Sequence, residues 1–311
     1  DVYKRQTRAV SGEVLNKIAK ENTNIFGGSA DLGPSNKTML KGEEYFSKDN
    51  RYGRNLTFGV RENAMGAITN GMLLHGGLKT YAATFLVFSD YLKPTIRLAA
   101  LMNLPNVYIF THDSIGVGED GPTHEPIEHL AMLRSIPGLV VVRPADGRET
   151  ASALNLAFNS QNTPFVLALS RQNLPQLENS KKDIKKGAYI IKKEEGELEK
   201  IVIATGSEVH LALEAAEDLK GVRVVSMPSM ELFDAQNSAY KEEILPSKIT
   251  KRVSIEALSS FGWHKYIGTG GMAISIDTFG ASGKGKEVFE RFGFTKENIC
   301  LLYTSDAADE E

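Results

Sequence analysis

Several side chains able to do acid–base or anion chemistry follow short apolar runs in this 311-residue chain. Asp31 and Ser35 follow a run ending at Gly28, and Arg61 and Glu62 follow Asn55–Val60. His112, Asp120 and His124 follow Val107–Phe110, and Arg171 follows Phe165–Leu169. If those runs are parallel strands, the residues stand on loops at strand C-termini, where open α/β sheets place their ligands. Arginine and histidine beside a serine hydroxyl make a phosphate clamp, because a planar guanidinium meets phosphate oxygens in pairs. Phe85, Phe88 and Tyr91 recur every three residues. On spacing alone they read first as an aromatic helix face in a core and only second as a binding wall.

Two other motifs fail on their chemistry. Gly280–Lys286 reads GASGKGK, but Glu287 stands where a phosphate loop needs a hydroxyl for magnesium, so a glycine-rich turn is expected. His124–His129 reads HEPIEH; its histidines are five apart, diverge by about 140° on a helix, and are separated by Pro126. The chain contains no G-x-S-x-G elbow.

The elements that would position these residues alternate between strand and helix patterns, the mark of an α/β fold with a mainly parallel sheet. Helices are expected over Ser11–Lys20, Arg61–His75 and Leu92–Leu101, the second rich enough in small residues to pack closely. Strands are expected at Asn24–Gly28, Asn55–Val60, Thr80–Phe85, Val107–His112, Leu139–Arg143 and Phe165–Leu169. Glu178–Glu199 is dominated by charge around Ala188–Ile191 and reads as a linker or edge hairpin. A second α/β unit begins at Lys200, with strands at Ile201–Thr205, Val222–Met227, Val253–Glu256 and Ala273–Asp277 and a helix at Glu208–Leu219. Two domains follow, over 7–185 and 195–299.

Composition is that of an ordinary globular protein, 41% hydrophobic and 24% charged, with a mean hydropathy of −0.22. No apolar run approaches the roughly 20 residues of a membrane span, and no leader is visible, so a cytoplasmic protein without a membrane partner is expected. A net charge of −3 argues against nucleic acid. The termini are expected to be non-native. GATGTGTATAAGAGACAG encodes residues 1–6 (DVYKRQ), and its reverse complement in a shifted frame encodes residues 300–305 (CLLYTS). Such an inverted repeat resembles a transposon-type sequencing adapter, which would make 1–6 and 300–311 foreign, the one cysteine included. The rest then carries no net charge.

The segments GGSADLGPSN (27–36), FGVREN (58–63), TYAATFLVFSDY (80–91), THDSIGVGEDGPTHEPIEHLAMLRSIPG (111–138), LSRQNL (169–174), ATGSEV (204–209) and VVSMPSMELFD (224–234) together resemble transketolase. The resemblance runs in order over nearly all of Arg8–Ile299. It implies two doubly wound domains: a thiamine-diphosphate pyrimidine-binding domain and a smaller transketolase-type C-terminal domain. The family's first domain, with its G-D-G…N motif for the cofactor diphosphate and a divalent metal (Mg or Ca), has no counterpart here. The implied activity is transfer of a two-carbon ketol unit between sugar phosphates, as in the pentose phosphate pathway. The implied partners are a second copy in a homodimer or a separate N-terminal subunit.

The resemblance also implies residue roles. Glu62 matches the glutamate that bonds the aminopyrimidine ring, favouring the imino tautomer that takes the thiazolium C2 proton; partial burial would help keep it protonated. Phe85, Phe88 and Tyr91 match the pocket around that ring, and Asp31 lies on the thiazolium side. Arg8, Ser35, His112 and Arg171 match the sugar-phosphate clamp. Asp120 and His124 match residues that read the donor hydroxyls, with His124 also catalytic. No residue of this chain is expected to ligate metal. Asn63 departs from the aromatic residue that many members carry after the glutamate, which suggests a subtype difference. Rival readings are the C-terminal subunit of a naturally split transketolase, a 1-deoxyxylulose-5-phosphate synthase-like enzyme, and a non-catalytic binding protein on the same fold.

Overall fold

The computed structural model describes residues 4–304, so residues 1–3 and 305–311 of the expected foreign termini lie outside it. The first sheet has six parallel strands in the spatial order 55–57, 25–29, 79–85, 107–111, 165–169, 140–142. Its chain order reverses beside Ile25–Ser29, whose neighbours lead outward in both directions. That reversal opens a crevice at the strand C-termini.

Side chains alternate between the two faces of this sheet, as strand geometry demands. Tyr81, Ala83, Val107, Ile109, Leu167 and Leu169 point to a core shared with Leu15, Leu154 and Phe158. Ala82, Tyr108, Phe110, Val166 and Ala168 point to a second core with Met65, Leu92, Ile96 and Leu130. Helices Thr7–Glu21 and Gly147–Asn159 cover the first face, and Glu62–His75, Ser89–Leu101 and His129–Arg134 the second. The small residues of Glu62–His75 do permit close packing: a Cβ at Gly66 would lie 2.1 Å from Thr95 Oγ1 on the next helix.

The second sheet runs 272–274, 252–255, 200–204, 222–226, 189–192, parallel except for its last strand. The charged stretch 178–199 therefore supplies an antiparallel edge strand, Tyr189–Lys192, to the second domain. The helix expected at Glu208–Leu219 is shorter, a 3-10 turn leading into Val209–Ala215. The two sheets share one continuous core, since Val142, Leu167, Tyr189, Val202 and Ile255 belong to the same buried cluster. A charged network also joins them. Arg143, fully buried, donates through Nε to Asp113 at 2.8 Å, through Nη1 to Glu208, and through Nη2 to Ser207 at 3.1 Å. Arg134 forks onto Glu256 at 2.7 and 2.9 Å, and Trp263 Nε1 donates to the same carboxylate at 2.8 Å. Among the described residues no helix is long and apolar enough to cross a membrane.

Candidate functional site

The aromatic triplet does not lie on one helix face. Phe85 ends strand Lys79–Phe85, Phe88 ends a 3-10 turn at Leu86–Phe88, and Tyr91 sits in the first turn of Ser89–Leu101. The chain steps out of the sheet there, so the three rings form a row with centroid spacings of 5.9 and 6.2 Å. Phe85 is buried at one end and Tyr91 is 64% exposed at the other. The row is thus a wall open on one side rather than a core stack.

His112 joins the inner end of that wall, its ring centroid 3.7 Å from that of Phe85. It holds φ +63°, and Asp31, just after strand 25–29 two places away in the sheet, holds φ +64°. Left-handed backbone costs a residue with a side chain about 1–2 kcal/mol, and such strain gathers where loops hold ligands. His124 approaches from the 113–126 loop and sets its ring edge-on to Phe85 and Phe88, at 6.4 and 5.8 Å. Glu62 begins its helix and is 7% exposed; among the described residues no side-chain hydrogen bond engages its carboxylate.

The expected clamp residues gather on the other side of His112. Arg8, on the first helix, donates through Nη1 to the Ser35 carbonyl at 2.8 Å and lies 3.5 Å from His112 Nε2. Burial lowers the Arg8 guanidinium, and the charge of Arg171 lowers it further. Burial, then Arg8, Arg171 and His124, push His112 down to about 3. The imidazole is therefore neutral near neutral pH.

Its tautomer follows from the hydrogen bonds behind it. The Asn36 amide nitrogen donates to Ser29 Oγ at 3.1 Å, and the Thr111 hydroxyl donates to Asn36 Oδ1 at 2.7 Å. With its own proton committed, Thr111 accepts from His112 Nδ1–H across 2.7 Å. That leaves the Nε2 lone pair facing the arginines. A phosphate oxygen placed there would be repelled by the lone pair unless the ring took up a proton. We therefore expect the His112 titration to move upward by about 1–3 pH units when a dianion offsets the two guanidinium charges. Histidine-resolved NMR titrations with and without ribose 5-phosphate check this; an unmoved His112 would place the anion elsewhere.

The 113–126 loop is braced from the second domain, a support that motif reading missed. Ser282 of GASGKGK donates to the Glu119 carbonyl at 2.7 Å, and a Cβ at Gly280 would lie 1.9 Å from Glu125 Oε2. Burial and the charge of Asp120 push the Glu125 carboxyl up to about 7. GASGKGK is thus a glycine-rich turn fitted against another loop, with the Lys284 and Lys286 side chains pointing to solvent. Asp31, Asp120 and Arg171 are exposed on the rim. The HEPIEH histidines diverge: His124 meets the aromatic wall, whereas His129 turns inward beside Asp90. Cavities of about 580 and 630 Å³ lie elsewhere, near residues 147–155 and between the two domains. Neither lining includes a residue of the aromatic wall or of the expected clamp, although the second takes in Gly116 of the 113–126 loop.

Comparison with known proteins matches residues 3–176 to the transketolase pyrimidine-binding domain and residues 187–295 to the transketolase-like C-terminal domain. The chain is 56% identical over 301 residues to a transketolase of Halalkalibacterium halodurans, covering 94% of this chain and 45% of that protein. It therefore spans less than half the length of that relative. A Pichia stipitis transketolase complexed with sedoheptulose 7-phosphate superposes with a TM-score of 0.90 at 44% identity, over 96% of this chain and 45% of that one. A split-gene transketolase, described as an inactive β4 tetramer, has a TM-score of 0.76 at 22% identity and is covered over 96% of both chains. That last likeness shows the fold alone.

Proposed function

The chain belongs to the transketolase family, and on that basis we propose that it supplies the pyrimidine side of a thiamine-diphosphate site and the phosphate clamp of a two-carbon ketol transferase acting on sugar phosphates. The carrying observation is the convergence of Arg8, Ser35 and His112 at one end of the Phe85–Phe88–Tyr91 wall, within reach of the Arg171 charge.

The residues present fit one half of the cofactor: a flat ring can lie on the open aromatic row, and Glu62 offers a buried carboxylate at a helix start. When bound, thiamine diphosphate supplies an electron sink for the two-carbon fragment. Glu62 holds a proton at the pyrimidine ring nitrogen. His124 orients a donor hydroxyl and moves its proton, while Asp120 accepts from a neighbouring hydroxyl and rejects the epimer that cannot donate. Arg8, Arg171, Ser35 and His112 bind the phosphate at the far end of the sugar. The diphosphate and its divalent metal would be held by the further domain that the longer relatives carry.

The outer side of the wall supports assembly. Ile68, Leu74, Tyr91, Leu98 and Leu101 are exposed on the two adjoining helices, an apolar surface suited to a partner subunit. A second reading, suggested by the split-gene transketolase of similar fold, is that this chain works as a free-standing subunit beside a separate diphosphate-binding one. Supplying the diphosphate-binding domain of a Halalkalibacterium relative, fused or as a separate chain, tests both. Ketol transfer from xylulose 5-phosphate to ribose 5-phosphate is expected only after completion. Activity of the isolated chain, or none in either completed form, would overturn the proposal.

A further inference from the structure

The pair His129 and Asp90 is used by no step above, yet its geometry is specific. His129 begins the helix His129–Arg134 and is 4% exposed, and neither of its ring nitrogens has a hydrogen-bond partner. Burying an imidazole with both nitrogens unmatched is costly, and an ion bound at one of them removes part of that cost. Nε2 nevertheless lies 3.3 Å from Asp90 Oδ2, and Nδ1 lies 3.8 Å from Glu128 Oε2. Ligand atoms from Asp90, Glu128 and His129 all fall within 4.8 Å of one another.

A separation of 3.3 Å without hydrogen-bond alignment is what two donors show across a shared metal ion. With metal–nitrogen and metal–oxygen distances of about 2.0–2.2 Å, tetrahedral donors stand about 3.4 Å apart. The donor set is one imidazole and two carboxylates, which suits zinc or a similar first-row divalent ion rather than magnesium. We infer that Asp90, Glu128 and His129 form a site for a divalent transition-metal ion of the zinc class, with a remaining position left to water.

Placement gives the site a consequence. Asp90 lies between Phe88 and Tyr91 in the chain, and Glu128 closes the loop that carries Asp120 and His124. A bound ion ties the start of Ser89–Leu101 to the start of His129–Arg134, fixing the aromatic wall relative to that loop. The ion would be distinct from one held by a cofactor diphosphate, and the inference does not rest on ketol transfer.

Titrating the full chain with Co²⁺, and displacing it with Zn²⁺, tests this directly. One Co²⁺ per chain is expected, with visible bands of a four- or five-coordinate ion and no near-ultraviolet thiolate band that would implicate Cys300. Affinity should fall in the D90N/E128Q double variant by more than the roughly 10-fold that losing an outer-shell partner costs. Both of these side chains are exposed, so that variant keeps its fold. H129Q should lose the bands altogether. Zn²⁺ should raise the melting temperature of the parent and leave the double variant unmoved. Absence of saturable binding to the parent, or undiminished binding in the double variant, overturns the site.

Discussion

Glu62→Gln, placed in the completed transferase, is expected to lower kcat by about 10²–10⁴-fold, the usual contribution of a positioned acid or base. KM for the sugar phosphates should change little, because the clamp is built from other elements: the first helix, the 33–36 turn and the ends of strands 107–111 and 165–169. Glutamine matches glutamate in size and can still meet a ring nitrogen, but it has no ionisable proton to hold there. Stability should stay close to that of the parent, since no described side chain hydrogen-bonds to the Glu62 carboxylate. Steady-state kinetics with a parallel melting curve separate these effects. A kcat equal to the parent's would remove Glu62 from the reaction and favour the non-catalytic reading of the fold.

Arg143→Ala should destabilise the chain by about 3–5 kcal/mol, because it leaves the buried Asp113 and Glu208 carboxylates without their counter-charge. Arg143→Lys should recover little, since a single ammonium cannot reproduce a fork that reaches Asp113, Glu208, Ser207 and the Thr205 carbonyl together. Trp263 is the chain's one tryptophan and bonds Glu256, itself 3.8 Å from Arg143, so its fluorescence reports this junction. Urea titration should show its transition at lower denaturant. An unchanged midpoint would mean that the shared apolar core alone couples the domains.

What could be read from residues alone was what local patterning controls. The apolar runs at 107–111 and 165–169 fell where strands formed because continuous Val, Ile, Leu and Phe suit a sheet covered on both faces. Helix Gly147–Asn159 escaped notice because its small and polar residues blur the period. Its start signal was nevertheless present: Asp146 accepts from the amides of Arg148 and Glu149 at 2.9 and 3.0 Å, and Glu149 accepts from the Ala145 amide at 2.7 Å. The candidate clamp and pocket were recognisable by family likeness, residue type and position. Their electrostatics were not, since the depressed His112 depends on its burial and on the charge of Arg8, 104 residues away along the chain. The Arg143 network and the bracing of the 113–126 loop were equally invisible, because each joins segments of two domains that no local window contains.

The Gly280–Glu125 contact bears on how such chains can be recombined. A chimera cut in the charged connector would keep every hydrogen bond within each parental half and could still fail. Wherever one parent supplies a side chain at the position of Gly280 and the other a long residue at 125, the end of that long side chain must move before the halves seat, since a Cβ there would lie 1.9 Å from Glu125 Oε2. These two positions form a mating pair best inherited together, although they lie on opposite sides of any sensible crossover point.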